Sequence, residues 1–268
     1  MVPEMTTADL IAFTLLFCAA GLGGALNAVA GGGTFITLPC LIFTGVPPIL
    51  ANTISTIALW PGSVSSVAAY RTEIAGLRNL MMMAVLSVLG GLAGAVLLLR
   101  TPENTFVRMV PWLLLGATIL FTYGSRLTRG LRARLTVGSP DGVRGVLLVG
   151  ALQVVIAIYG GYFGGGIGIL MLASFVLMGM ENIHEMNALK TILASCINGV
   201  AMLTFVGNGS VMWPQAAVMI AGGILGGYGG AHYAQRIAPA RVRTFVTVVA
   251  STMTVYFFGR TYLLPYWA

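Results

Sequence analysis

The chain has 268 residues, of which 57% are hydrophobic and only 8% are charged. Its mean hydropathy is +0.93. So few polar side chains cannot coat a soluble protein of this length, whereas lipid requires no such coat. The net charge of +7 could suggest nucleic acid. However, thirteen of the fourteen basic residues are arginines that lie at or near the ends of apolar segments, where they signal topology. The composition predicts an integral membrane protein without a nucleic-acid partner.

Seven apolar stretches follow one another along the chain. They cover about 8–30, 77–99, 108–124, 144–163, 186–206, 214–234 and 242–263. Each is close to the length that a helix needs to cross about 30 Å of hydrocarbon. The pattern predicts an all-α fold that leaves no soluble domain. We expect the first stretch to be a retained helix, because Glu4 and Asp9 stand where a signal peptide would be basic.

The chain also contains an internal repeat. A glycine triplet, a short apolar run and an asparagine near the start of the next segment occur once in each half. The repeated residues are Gly31, Gly32, Gly33 and Asn52, then Gly164, Gly165, Gly166 and Asn187. Hydrophobic segments interrupted at matching places of two repeats are typical of transporters that bind their substrate between the repeats. We therefore divide the chain into a membrane repeat 1–125, a basic linker 126–143 and a second membrane repeat 144–268.

Two segments, about 33–45 and 166–179, are too short to cross the hydrocarbon as helix alone. They are either re-entrant or completed by the extended glycine run before them. If both span, ten arginines lie on the side of the basic linker and three on the other; if neither spans, the division is eight to five. The positive-inside rule favours the first arrangement. It predicts two inverted repeats of five segments each, with the linker in the cytoplasm and both termini outside.

The glycine triplets are the first candidate site. Backbone released from a helix inside a membrane must be buried in protein or line a wet cavity. The helix that restarts, at Thr34 in the first half, presents N–H groups that suit an anion. The alternative is a tight helix crossing without a ligand. We also interpret the later pairs Gly90-Gly91 and Gly226-Gly227 as helix-packing residues only.

The segments that follow the triplets carry two matching polar stripes. The spacing i, i+3, i+4, i+11 places each set on one helical face. The residues are Asn52, Ser55, Thr56 and Ser63 in the first half, and Asn187, Lys190, Thr191 and Asn198 in the second. We expect the stripes to face each other across the repeat axis. Such side chains also join membrane helices without touching a substrate, which is the alternative.

Lys190 is the only lysine of the chain and lies in an apolar segment. An ionisable group there is functional by default, commonly as the partner of a charged substrate. It could instead reach the membrane surface or pair with Glu185 or Glu181. With His184 these two carboxylates form a titratable cluster for possible proton coupling, or they are simply solvated.

Two further residues are candidates with a strong alternative. Arg71 could meet an anion at the cytoplasmic mouth or act as a topology anchor. Trp60 could stack on an aromatic substrate or pack beside the helix-breaking Pro61.

Several motifs together resemble the TauE/SafE family of sulfite and organosulfonate transporters. They are Ala30-Gly31-Gly32-Gly33-Thr34, Pro39, Gly45-Val46-Pro47, Ala51-Asn52-Thr53, Trp60-Pro61-Gly62-Ser63, Tyr70-Arg71, Gly164-Gly165-Gly166, Asn187-Ala188-Leu189-Lys190 and Ile197-Asn198-Gly199. The resemblance implies movement of sulfite, sulfoacetate, thiosulfate or an aryl sulfonate across a bacterial inner membrane, with the regions of Asn52 and Asn187 near the substrate. The second repeat departs from the pattern, since no proline matches Pro39 and no Gly-x-Pro follows Gly179.

We accordingly expect a secondary transporter for small sulfur oxyanions, without cofactor or metal. The lipid bilayer and a second copy of the chain are its candidate partners. N–H groups, amides, hydroxyls and one lysine suit any small oxyanion or carboxylate, so the sulfur comes from the resemblance alone. An anion channel is the alternative, because pores also use broken helices. An intramembrane enzyme is disfavoured, because neither His184 nor His232 belongs to a zinc motif or a visible triad.

Overall fold

The computed structural model describes residues 6–29, 31–69, 80–134, 143–178, 180, 182–234 and 239–263. Within these residues the chain forms ten helices and no strand. The helices of the first half are α1 (Thr7–Val29), α2 (Thr34–Phe43), α3 (Pro48–Ala69), α4 (Leu80–Arg100) and α5 (Glu103–Arg134). Those of the second half are α6 (Val143–Tyr162), α7 (Ile167–Leu177), α8 (Ile183–Gly207), α9 (Trp213–Ala234) and α10 (Pro239–Phe258), followed by a π-helical turn, Gly259–Leu263. The predicted all-α fold, with five segments in each half, is confirmed.

The two short segments form the short helices α2 and α7. They contain 10 and 11 residues, or about 15 Å of helix each, roughly half the hydrocarbon thickness. Contacts set the direction of α2. Gly33 at its start packs against Gly23 of α1, whereas the Cys40 thiol near its end donates to the carbonyl of Leu15, 3.8 Å away. The helix α2 therefore runs antiparallel to α1, and the chain reverses within the bundle between these two helices.

The halves are joined by an exchange of helices. The most extensive helix pairs are α1 with α9 and α4 with α6, so the first helix of each half packs against the fourth helix of the other. The third helices, α3 and α8, also contact each other across the centre. This matching pattern fits the predicted pair of repeats. The division at 125/126 and 143/144 stays a prediction, and α5 continues past the first boundary to Arg134.

Glycine contacts bring the exchanged helices close together. A Cβ added at Gly226 of α9 would collide with the carbonyl of Gly21 on α1, and one at Gly94 of α4 would collide with that of Ile158 on α6. Backbones that approach this closely gain packing contacts in lipid, where no hydrophobic effect drives helices together. Gly91 and Gly161 meet in the same way. The interpretation of the glycine pairs as packing residues is confirmed.

Several turns share one end of the bundle, here called the terminal end. The backbone N–H of Ile49, at the start of α3, donates to Glu103 Oε1 at the start of α5, 3.1 Å away. Thr53 donates to the carbonyl of Ser210 at 2.8 Å, and Tyr262 in the π-helical turn donates to the carbonyl of Arg108 at 3.0 Å. Helix α2 ends at this same end, just before α3 begins. Because α2 runs antiparallel to α1, α1 also begins here.

The surface of the bundle is apolar. Large hydrophobic side chains are exposed on many helices, for example Met81 at 78%, Leu203 at 65% and Val255 at 72%. Patches of this extent are unusual on soluble monomers but suit a surface against acyl chains. By length and composition, four helical stretches of the described chain could cross a membrane: Thr7–Asn27, Leu80–Arg100, Glu103–Tyr123 and His184–Gly207. The chain is thus a multi-pass membrane protein.

Candidate functional site

The two chain breaks meet inside the bundle. Gly31 and Gly164, the first glycines of the triplets, both adopt a φ of +77°, a left-handed conformation that other residues rarely take. A Cβ at Gly31 would lie 3.9 Å from Cα of Gly168 on α7, and one at Gly164 would lie 3.8 Å from Thr56 Oγ1 on α3. Each break therefore contacts the other half, and the space between them is shared.

A cavity of about 60 Å³ lies at this junction, enough for several water molecules or one small oxyanion. Its lining comes from both breaks and from α1, α2, α3, α7 and α8. The lining residues are Asn27, Gly31, Thr34, Thr56, Leu59, Gly62, Ser63, Gly164, Ile167, Gly168, Lys190, Thr191, Ala194 and Asn198. None of these residues is acidic. Seven of the fifteen predicted substrate-binding residues are thus brought together: Gly31, Thr34, Thr56, Gly164, Lys190, Thr191 and Asn198.

Lys190 provides the one charged side chain among the lining residues. Its aliphatic stem lies along Gly168, where an added Cβ would be 3.3 Å from Lys190 Cδ. Its ammonium donates to Asn187 Oδ1, 3.1 Å away. An ammonium carries three donors, so this contact leaves donors for a ligand. Within the described part of the chain Lys190 forms no ion pair.

The polar stripe of α8 continues with Asn198. Its Oδ1 is buried and has no hydrogen-bond partner within the described residues. Buried amide groups without a partner are uncommon in proteins. Because a primary amide carries both donors and acceptors, a half-turn of the side chain presents Nδ2 to an anion. This unpartnered group at the cavity is the second feature, after Lys190, that indicates a ligand.

The threonines of the two stripes occupy equivalent places. The Thr56 hydroxyl donates to the carbonyl of Asn52 at 3.0 Å, and that of Thr191 donates to the carbonyl of Asn187 at 2.7 Å. Both hydroxyls therefore already use their proton within their own helix and offer acceptor lone pairs to the cavity. The donors available for an anion come from Lys190, from the amide and from backbone N–H groups.

Helix starts at the cavity supply those N–H groups. Neither α2 nor α7 has a side-chain cap, and their N-cap residues are Gly33 and Gly166. Thr34, Ile167 and Gly168, in the first turns of these helices, all line the cavity. An uncapped helix start offers N–H groups and a partial positive charge, which favour an anion.

The cavity also includes a polar pair on the side of the first half. Asn27 Nδ2 donates to Ser63 Oγ at 3.1 Å, joining α1 to α3. Sequence reasoning placed Ser63 on the stripe but missed Asn27, because Asn27 lies in an apolar stretch and its equivalent in the second half is Gly160. It also missed Gly168. The signal that could have found this residue is Lys190, because its long side chain needs a small residue beside it.

Asn52 and Ser55, which were predicted to bind the substrate on the first-half stripe, lie outside the cavity lining. Asn52 is 1% exposed, and its Nδ2 donates to the carbonyl of Tyr162, at the end of α6, over 3.0 Å. Its Oδ1 is buried without a partner within the described residues. Ser55 is fully buried, with its hydroxyl 2.6 Å from Thr37 Oγ1 of α2. Asn52 therefore holds the end of α6 just before the second break, and Ser55 holds α2 just after the first break.

The other predicted residues near the breaks, Trp60 and the remaining glycines of the two triplets, pack against protein atoms and do not line the cavity. Trp60 donates to the carbonyl of Ser195 at 3.0 Å and lies against Gly199 of α8. Among the glycines, a Cβ at Gly32 would meet Val246, and one at Gly166 would meet Ala117. Gly33 and Gly165 likewise lie against protein atoms. Asn187 reaches the site through Lys190.

The two predicted gate residues that the structure describes, His184 and Glu185, do not line this cavity. Arg71 and Glu181 lie outside the described residues. His184 and Glu185 are exposed in the first turn of α8, and Glu185 accepts from Asn182 Nδ2 at 2.9 Å. The position of Glu185 near the helix start suits its charge. Their role in proton coupling stays a prediction.

An all-helical multi-pass protein whose two interrupted helices meet at a polar cavity has the architecture of a membrane transporter. The comparisons with known proteins agree with that class. The chain belongs to the family described as Sulfite exporter TauE/SafE, which it matches over residues 16–257. The family resemblance drawn from the sequence motifs is confirmed.

Three relatives extend the match over most of the chain. A probable membrane transporter protein of Haemophilus influenzae is 29% identical over 250 residues, covering 92% of this chain and 93% of its own. Probable membrane transporter protein ORF9 of a Sinorhizobium species is 27% identical, covering 92% and 91%. Probable membrane transporter protein YfcA of Escherichia coli K12 is 24% identical, covering 90% and 87%. No solved structure matches the chain significantly.

Proposed function

We propose that this transporter binds and moves a small oxyanion of sulfur, such as sulfite or thiosulfate, at the cavity between the chain breaks. The observation that carries the proposal is the Lys190 ammonium in a cavity whose described lining holds no carboxylate. A cation in an apolar surrounding needs a counter-charge. A bound anion supplies it, and uncapped helix starts at Thr34 and Ile167 add donors on the other sides.

The size and the donor set support a small, strongly hydrogen-bonding ligand. A space of about 60 Å³ accepts a small oxyanion, whereas an aromatic sulfonate would require the helices around it to move. The preference for sulfur over another small oxyanion or a carboxylate rests on the family description. Sulfoacetate and other organosulfonates are therefore substrates that the proposal includes but the cavity favours less.

Alternating access is the mechanism that we propose for movement of the anion. Each half supplies one break, and each break contacts the other half. A change in the relative positions of the halves would then open the shared cavity to one side at a time. An anion channel is the second candidate, since broken helices also build selective pores. Enzymatic chemistry is not part of the proposal.

For orientation, we propose that the terminal end of the bundle faces the periplasm of a bacterial inner membrane. The arginine cluster of residues 126–144 then lies in the cytoplasm, as the positive-inside rule requires. In a variant without its three native cysteines, Thr261→Cys should react with an impermeant thiol reagent added to the outside of intact cells. Ser139→Cys should react only after the membrane is opened. Equal labelling of both from outside would reject this orientation.

The transport proposal is tested with purified protein in proteoliposomes. Vesicles preloaded with sulfite should accumulate labelled sulfite by counterflow, and the initial rate should saturate with concentration. Thiosulfate and sulfoacetate should compete, while taurine, which also carries an ammonium group, should compete poorly because it places a second cation beside Lys190. Flux that rises linearly with concentration and shows no counterflow would support the channel. Absence of any flux or thermal stabilisation by these anions would reject the substrate class.

A further inference from the structure

A second and larger pocket lies at the terminal end of the bundle, apart from the transport cavity. Its volume is about 630 Å³, and its walls come from the turn between α2 and α3, the start of α5 and the end of α10 with its π-helical turn. Two arginines line it, Arg108 and Arg260. Both are exposed, and neither forms an ion pair within the described residues. Guanidinium groups bind phosphate well, often through two parallel hydrogen bonds.

The buried part of the lining, here called the floor of the pocket, is apolar. It includes Ile42, Val46 and Phe257, and Val107 also lines the pocket with the two arginines. The nearby acidic residue Glu103 is not part of the lining, and its carboxylate accepts the backbone N–H of Ile49 at 3.1 Å. A pocket that combines two cations with an apolar floor fits a ligand that joins a phosphate to hydrocarbon.

Aromatic residues mark the level of this pocket in the membrane. Trp112 follows Arg108 by one helical turn, is 59% exposed, and donates from Nε1 to the Tyr262 hydroxyl at 3.0 Å. The Tyr262 hydroxyl in turn donates to the carbonyl of Arg108. Phe258 packs edge-on against Trp112, with ring centroids 5.0 Å apart. Exposed tryptophan and tyrosine gather at the headgroup level of a bilayer.

The distance from the transport cavity agrees with that level. On α2, Thr34 lines the cavity and Ile42 lines the terminal pocket, and on α3 the corresponding residues are Thr56 and Pro48. Eight residues of helix correspond to about 12 Å. Half of the hydrocarbon thickness is about 15 Å. The inner lining of the pocket therefore lies near the edge of the hydrocarbon, and long arginine side chains can reach the lipid phosphates from there.

We propose that this pocket binds the phosphate of an anionic phospholipid, with Arg108 and Arg260 as its partners and with the lipid's glycerol and first acyl carbons against the apolar floor. The lipid would contact the turn between α2 and α3 and so hold the outer end of the broken helix α2. This proposal is independent of the transported substrate, because the two sites share no lining residue.

Native mass spectrometry of the full chain, delipidated in detergent and then offered equal amounts of phosphatidylglycerol and phosphatidylcholine, tests the proposal. The protein should retain phosphatidylglycerol about tenfold better, since each surface arginine attracts anionic lipid. The double variant R108Q/R260Q should lose this preference. The matched control R100Q removes an exposed arginine at the same end that does not line the pocket, and it should keep the preference.

Three outcomes would overturn the proposal. One is equal retention of the two lipids by the unaltered protein, a measurement that does not depend on whether a variant folds. Another is an unchanged preference in a monodisperse double variant. The third is a double variant that keeps its lipid preference but loses thermal stabilisation by free inorganic phosphate or sulfite. That result would assign the pocket to soluble anions.

Discussion

Ser55 and Lys190 occupy equivalent positions in the two halves but have different surroundings. Ser55 is fully buried and its hydroxyl meets that of Thr37, which holds α3 against α2. Lys190 lies along α7 and reaches the cavity. The position equivalent to Thr37 is Leu170, which offers no hydrogen bond, and the position equivalent to Gly168 is Phe35, which is fully buried.

The difference shows how a duplicated scaffold can build one asymmetric site. In the first half, the fully buried Phe35 packs its ring against Phe121 of α5, and Ser55 and Thr37 form a small polar pair. In the second half, Gly168 leaves space for the lysine stem. The charge of Lys190 is therefore accommodated by a glycine on the neighbouring helix. We infer that the cavity binds its anion from the side of the second half.

The two halves are alike in the glycines that pack their exchanged helices together. Substitution of these glycines should have the largest effect on the stability of the protein. Gly226→Ala and Gly94→Ala should each strongly reduce the yield of monodisperse protein, because a methyl group at either place meets a backbone carbonyl. Overpacking of this kind costs about 1–3 kcal/mol or more. Size-exclusion chromatography and thermal unfolding measure it. Gly116→Ala is the control, since no atom lies within 4 Å of an added Cβ there. Normal yield of both variants would show that these interfaces adapt easily.

The next largest effect should separate Lys190 from Ser55. Lys190→Met keeps a long apolar side chain along Gly168 but removes the charge, so sulfite binding should weaken by more than about tenfold, as expected when one partner of a buried charge pair is lost. Ser55→Ala should lower thermal stability with little change in affinity. Titration calorimetry or concentration-dependent thermal shift measures both. Similar affinities for the Lys190 variant and the unaltered protein would remove Lys190 from the site.

Much of this arrangement could be predicted from the sequence. The apolar segments indicated the helices, and the distribution of arginines favoured five segments in each half. The glycine triplets located the breaks, because no other residue tolerates the φ of Gly31 and Gly164 as easily. The lone lysine in an apolar segment pointed to a cavity, and Lys190 lines one, while its role in binding stays a prediction. Each of these signals lies within one short stretch of the chain, so it can be recognised without knowing which helices become neighbours.

What the sequence left open depends on which helices become neighbours. Helical spacing placed Asn52, Ser55, Thr56 and Ser63 on one broad face, yet only the last two reach the cavity. The first two face the end of α6 and α2. Asn27 joins the cavity only because α1 lies beside α3. Periodicity defines a face but not its neighbour. Only the contact of Asn52 with Tyr162 joins the two halves, and the contacts of Ser55 and Asn27 lie within the first half.

The smallest predicted effect distinguishes the two asparagines. Asn52 holds the carbonyl of Tyr162 beside the second break, whereas Asn187 accepts from the Lys190 ammonium. Asn52→Leu should therefore lower the melting temperature, since an interhelical hydrogen bond in a membrane contributes about 1 kcal/mol, and should leave sulfite affinity within about twofold. Asn187→Leu should weaken sulfite binding about fivefold, the equivalent of about 1 kcal/mol, because the ammonium loses the acceptor that orients it. Its melting temperature should change little.

Binding and unfolding measured on the same two preparations would decide whether the site is asymmetric. Equal losses of affinity would mean that both asparagines contact the anion and that the pocket is two-fold. The opposite pattern, with affinity lost only in the Asn52 variant, would move the site toward Asn52, whose Nδ2 would then donate to the anion and not to the carbonyl of Tyr162. Asn52 lies near the second break as well, so the experiment compares two positions for one anion. The charge on Lys190 is the reason to expect binding on the side of Asn187.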